Sequence, residues 1–112
     1  MKRRVVITGL GTINAVGKNV EEFWNGLKHG VNGIDNITAF DTSDFKVKMA
    51  GEVKDFNVED YISKKEAKRM DRYTQFAMIA AEECIKDSKI DLDQIDKERV
   101  SVIVSSGIGG LT

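Results

Sequence analysis

Arg3-Arg4-Val5-Val6-Ile7-Thr8-Gly9-Leu10-Gly11 opens the chain, and its reading decides the fold. Val5 to Thr8 are all β-branched, and such side chains favour extended backbone. A short run of this kind closed by glycine predicts a buried strand. The pattern returns near the other end, where Val100-Ser101-Val102-Ile103-Val104 runs into Ser105-Ser106-Gly107-Ile108-Gly109-Gly110.

Two helical stretches lie between these runs. Asn19 is a good N-cap, and Glu22 completes a capping-box pattern. The helix it starts carries Val20, Phe23, Trp24 and Leu27 on one side and stops at Gly30. From Val31 to Val53 the sequence reads as loop, with a short edge strand expected around Val47, Met49 and Val53. Ser63 and Glu66 form a second capping box, after which no glycine or proline occurs up to Ser88. One long helix is therefore predicted there, with Met70, Tyr73, Ala77, Ala80, Ala81 and Cys84 as its apolar stripe. So many alanines suit packing against another backbone. Strand, helices and strand in this order predict an α/β fold with parallel pairing.

Parallel sheets are covered on both faces and normally contain several strands. Two strands fall short of that, and Thr112 follows a strand and its turn where a helix is expected to begin. The sequence thus reads as an incomplete part of a larger fold, one domain at most.

Composition narrows the function. A net charge of −1 excludes a whole-surface nucleic-acid binder, so an electrostatic partner must meet a local patch. The apolar run after Lys2-Arg3-Arg4 is broken by Thr8 and Gly9, too early for a signal peptide, and no stretch approaches the ~20 apolar residues of a membrane span. Cys84 is the single cysteine, which fits a reducing, cytoplasmic setting.

The candidate chemical groups reduce mostly to structure. Cys84 is expected deep within a helix beside Glu82 and Glu83, whereas a reactive thiolate wants a helix N-terminus or a cation. His29 belongs in the last turn of the first helix, where a cation complements the dipole. Gly9-x-Gly11-x-x-Asn14 lacks the third small residue of a dinucleotide-binding turn, and its helix starts late, at Val20. Gly107-Ile108-Gly109-Gly110 lacks the Lys-Ser/Thr ending of a phosphate-binding loop. No metal-ligand spacing is present. The remaining feature is basic: Lys64, Lys65, Lys68, Arg69 and Arg72, with positions 65, 68, 69 and 72 expected on one helical face. Cations at a helix N-terminus oppose its dipole, so a docking patch for an acidic partner competes with a merely solvated face.

Taken in order, these segments resemble the elongation condensing enzymes, the β-ketoacyl-acyl-carrier-protein synthases. The opening Arg3–Gly11 is similar to that family's first strand and turn. Phe40-Asp41-Thr42-Ser43 and Ala50-Gly51-Glu52-Val53-Lys54-Asp55-Phe56 are similar to its early loop region. Lys64-Lys65-Glu66 through Met70-Asp71-Arg72 is similar to the start of its long helix, and Ser106–Gly110 to its glycine-rich segment. Asn14-Ala15-Val16-Gly17 departs from it, since the family commonly has proline before that glycine.

The resemblance implies a thiolase-like fold of αβαβα layers in a homodimer, with residues 1–112 forming part of the N-terminal half. It implies decarboxylative condensation of malonyl-loaded acyl carrier protein with an enzyme-bound acyl chain, without a cofactor or metal. The cysteine nucleophile and two histidines of the family lie beyond Thr112, so no catalytic residue is expected in this chain, which alone should be inactive. Lys65, Lys68 and Arg69 match carrier-docking positions. Ile108 matches a residue lining the acyl pocket, and Gly107 and Gly109 would let the backbone fold around it. A polyketide-type ketosynthase and a non-catalytic carrier-binding module are the alternatives.

Overall fold

Asn19 starts the first helix as its chemistry requires. Its Oδ1 accepts the backbone N–H of Glu22 at 2.8 Å, while the Glu22 carboxylate reaches back to the N–H of Lys18 at 2.8 Å. One free donor of the helix N-terminus is thereby satisfied, together with the N–H that precedes the cap. Helix α1 runs Val20–Lys28, and Gly30 follows in the left-handed conformation at φ 67°. The computed structural model to which these elements belong describes residues 2–110. The chain divides into two units, Thr12–Asn57 on one hand and Met1–Gly11 joined to Val58–Thr112 on the other.

In the first unit, Asn14 closes a tight turn across Asn14–Gly17, the segment that lacks the family's proline. Its N–H bonds the carbonyl of Gly17 at 2.9 Å, and its Oδ1 accepts from Val16 and Gly17. Gly17 is thus brought against the first turn of α1, where a side chain would overlap the backbone of Glu22 and Phe23. The apolar side of α1 differs from the expected one. Gly26 is its buried residue and rests near Val16, while Trp24 and Leu27 are exposed.

The loop-like stretch after α1 contains a small sheet. Strand β1 (Ile34–Asn36) pairs antiparallel with β2 (Met49–Gly51), Ile34 opposite Gly51 and Asn36 opposite Met49. The edge strand expected around Val47, Met49 and Val53 is therefore real but narrower, and its partner was not expected. Glu52 organises the segment after β1. Its two carboxylate oxygens accept from the Thr38 and Ala39 N–H groups and the Thr38 hydroxyl, at 2.8–3.1 Å. Lys54 Nζ meets Asp35 Oδ2 at 2.6 Å.

In the second unit the single long helix does not form. After a 3₁₀ turn at Val58–Asp60, helix α2 covers only Lys64–Ala67, and α3 runs Arg72–Ser88. Ser63 caps α2 as predicted, its hydroxyl accepting from the Glu66 N–H and bonding the Glu66 carboxylate. The break lies at Asp71, whose extended backbone (ψ 158°) makes it the N-cap of α3. Gln75 stabilises the corner by donating its amide to the carbonyls of Ala67 and Met70 at 3.1 and 3.2 Å. Its side chain thereby ties the first turn of α3 to the residues that precede the break.

Ile79 is the buried residue of α3, while Tyr73 and Ala81 of the expected stripe are exposed. Ala80 and Cys84 of that stripe do receive another backbone. A methyl group on Gly11 would overlap the Ala80 carbonyl, and one on Gly9 the Cys84 carbonyl. Leu10 N–H donates to Asp87 at 2.8 Å, pinning the same segment.

Neither expected terminal strand has a partner among the described residues, whose one sheet is antiparallel. Val5 is 93 % exposed and Ile7 83 %; Val102 is 82 % and Ile103 88 %. Their β-branched sequence is satisfied only by a sheet with neighbours and covered faces. A lone pair of strands would supply neither. The helix expected to begin at Thr112 lies outside the described residues.

The carboxylates around β1 and β2 set a pH dependence. Hydrogen bonds from Thr38 hold Glu52 below its ordinary range, the Lys54 side chain does the same for Asp35, and Ser43 for Asp41. Lowered values mean that their stabilisation is fully present above the ordinary carboxylate range. It is lost as pH falls through the lowered values. Amide exchange at Thr38 and Ala39 should accelerate as pH falls through that range, beyond the intrinsic trend, and Glu52→Gln should remove most of this excess. An unchanged profile in that variant would show that Glu52 does not hold the segment.

Candidate functional site

The α2–α3 corner sorts its own cations. Lys64 Nζ lies 3.4 Å from the Glu59 carboxylate, and the Arg72 guanidinium sits over the Phe76 ring, 5.0 Å from its centroid. Lys65, Lys68 and Arg69 are exposed and have no ion pair among the described residues. The break at Asp71 also changes their setting. The expected common face of positions 65, 68, 69 and 72 is absent, because Lys68 caps the C-terminus of α2 and Arg72 opens α3. Lys68 and Arg69 therefore follow the C-terminal end of a short helix, where the dipole favours cations. Lys65, Lys68 and Arg69 thus stand exposed on the α2 side of the bend at Asp71.

The glycine-rich segment meets the far side of this corner. A methyl on Gly109 would lie 2.6 Å from Cδ1 of Tyr73, and one on Gly110 would lie 2.9 Å from Oδ2 of Asp71. Gly110 also has φ 76°, where side chains are strained. Gly107 needs neither freedom, since a methyl there would meet nothing within 4 Å. Of the two glycines expected to shape the backbone around Ile108, only Gly109 is required, and Gly110 joins it. Ile108 is 77 % exposed. The sequence carried a signal for the Tyr73 contact only indirectly, through the density of glycines.

Cys84 and His29 take the structural roles expected of them. Cys84 lies within α3, and its Sγ is 3.3 Å from the carbonyl of Gly9, which it can serve as a donor. His29 ends α1 with Nδ1 2.8 Å from the Asn25 carbonyl. No cluster of metal-ligating side chains occurs among the described residues, and no helix there is long and apolar enough to cross a membrane.

Comparison with known proteins bears on the whole chain. The sequence model of the family "Beta-ketoacyl synthase, N-terminal domain" matches residues 2–112. The 3-oxoacyl-[acyl-carrier-protein] synthase 2 of Staphylococcus aureus (strain COL) is 50% identical over 109 residues, 97% of this chain and 26% of that protein. Its counterpart in Synechocystis sp. (strain ATCC 27184 / PCC 6803 / Kazusa) is 44% identical over 110 residues, 98% of this chain and 26% of that protein. Among solved structures, the ishigamide ketosynthase/chain length factor matches with a TM-score of 0.72 and 38% identity, over 85% of this chain and 24% of that one. A complex of a type II polyketide synthase acyl-carrier protein with its ketosynthase bound to the hexaketide matches with a TM-score of 0.63 and 23% identity. That match covers 86% of this chain and 25% of that one.

The chain spans about a quarter of the length of these curated relatives. It belongs to the β-ketoacyl synthase family, as part of the N-terminal domain. The α/β ketosynthase fold expected from the sequence is thereby established as the fold to which these residues contribute.

Proposed function

We propose that this chain is the N-terminal quarter of a 3-oxoacyl-acyl-carrier-protein synthase that extends fatty-acyl chains by two carbons. The observation that carries this reading is 50% identity across 97% of the chain to a 3-oxoacyl-[acyl-carrier-protein] synthase 2. In the proposed reaction a malonyl thioester on the carrier loses CO2. The carbanion left at its α-carbon attacks the carbonyl of an enzyme-bound acyl thioester, and the enzyme thiolate departs. A 3-oxoacyl thioester remains on the carrier.

The residues of this chain act around that chemistry. A nucleophilic cysteine and two histidines belong to parts of the family's sequence that this chain does not span, so the chain by itself is inactive. Cys84 is no substitute, because it sits within α3 against the Gly9 carbonyl. Lys65, Lys68 and Arg69 dock the acidic carrier protein, a role supported by their exposure and their lack of ion pairs among the described residues. The complexed ketosynthase of the polyketide system, a fold relative, gives the carrier partnership a precedent. Ile108 lines the acyl pocket, with Gly107 and Gly109 beside it.

A homodimer located in the cytoplasm completes the reading. The polyketide-type alternative draws on the type II polyketide synthase complex among the solved structures. The higher identity to the fatty-acid enzymes favours elongation. A non-catalytic carrier-binding module would need a stable small domain, which the exposure of Val5–Ile7 and Val102–Ile103 argues against.

In the complete enzyme, the K65E/K68E/R69E variant should raise KM for carrier-linked substrate roughly tenfold at low salt, with kcat little changed. The difference should shrink near 1 M salt, where the Debye length is about 3 Å. An unchanged KM at low salt would remove the docking role. Ile108→Phe should lower kcat/KM for long acyl primers about tenfold and spare short ones, the cost of overfilling a packed pocket. Equal losses for both would remove the gate.

A further inference from the structure

We infer that Tyr73 is a positioning residue for the acyl-pocket loop and ties the carrier-docking corner to Ile108. The inference rests on the docking and pocket roles proposed above and adds the element that joins them. Arg69 of the docking patch is two residues from Asp71, and Asp71 and Tyr73 open α3. Both of these side chains lie against the glycine loop on either side of one peptide unit. The Tyr73 ring occupies the place of a side chain at Gly109, and Asp71 that of one at Gly110.

The chemistry of Asp71 fits this placement. It stands at the N-cap of α3, where a carboxylate usually accepts a backbone N–H of the first turn. Here its side chain makes no such bond and lies beside Gly110 instead. Gly109 has a second close neighbour, the Ser106 hydroxyl at 2.7 Å from the same methyl position, but that group can rotate away. The Tyr73 ring, larger and stiffer, sets the path of the backbone. Ile108 is the one residue between Gly107 and Gly109, so a shift of the loop at Gly109 moves its side chain directly. A carrier protein pressing on Lys68 and Arg69 bears on the same corner. Docking and pocket shape are therefore coupled through a contact of two side chains with two glycines.

The coupling is tested in the complete enzyme by the ratio of kcat/KM for long and short acyl primers. Tyr73→Ala should change this ratio about tenfold, and Tyr73→Phe, which keeps the ring, should restore it. Gly109→Ala should disturb the ratio in the presence of the ring and much less in combination with Tyr73→Ala, because the overlapping group is gone. Tyr73→Leu serves as a second truncation if the alanine variant folds poorly. A wild-type ratio in Tyr73→Ala or Tyr73→Leu, alongside a responsive Ile108→Phe, overturns this inference alone. Additive effects of Gly109→Ala and Tyr73→Ala overturn it as well. If Ile108→Phe itself leaves the ratio unchanged, the pocket reading fails and this inference with it.

Discussion

The close approach of Gly9 and Gly11 to the Ala80–Cys84 turn of α3 is the constraint on which the second unit depends. Two backbones meet where Gly9 and Gly11 cannot carry side chains, because a methyl group on either would strike the carbonyl of Cys84 or Ala80. The contact is reinforced by the Leu10 N–H on Asp87 and by the Cys84 thiol at the Gly9 carbonyl. It joins the first residues of the chain to a helix some seventy positions later. Such a long-range contact fixes the direction in which Val5–Thr8 leaves α3. The glycine loop at the other end of α3 is met by the side chains of Tyr73 and Asp71 rather than by helix carbonyls. Both ends of one helix thus anchor a glycine turn attached to a β-branched run.

Much of this was legible in the sequence because it rests on local chemistry. Asn19 and Ser63 cap helices through bonds to residues three positions on, and Gly30 terminates α1 by a conformation that glycine reaches easily. The alanine-rich stripe of α3 announced that another backbone would lie on it, although its buried residue, Ile79, was not in the expected set. The break at Asp71 was not legible. Nothing in Lys64–Asp71 disfavours helix strongly, and the corner depends on Gln75 reaching back to Ala67 and Met70. Strand β1 was missed because Ile34-Asp35-Asn36 is short and polar, and only its pairing with β2 makes it a strand.

The candidate site was half legible for the same reason. Lys65, Lys68 and Arg69 could be named from composition and resemblance, but their arrangement at a bend follows from the break in the helix. Ile108 could be named, while the side chains that position its loop come from the start of α3 and meet it only in three dimensions. The terminal runs show the opposite case. Their sequence asks for a parallel sheet, and among the described residues no partner meets that demand. Burying a side chain such as valine or isoleucine is worth about 1.5–3 kcal/mol. Three left in water in the first run and four in the second together forfeit an amount comparable to the roughly 5–15 kcal/mol stability of a typical domain. That deficit is the physical content of a family relationship in which this chain covers 26% of its curated relative.

Backbone amide exchange at residues 5–8 and 100–104 tests the central claim most directly. It would compare the 112-residue chain alone with a chimaera in which the chain replaces the matching segment of the Staphylococcus aureus synthase. The account requires fast exchange of both runs in the chain alone and strong protection in the chimaera, where neighbouring strands complete the sheet. Protection already present in the chain alone, or fast exchange persisting in a folded chimaera, would contradict it.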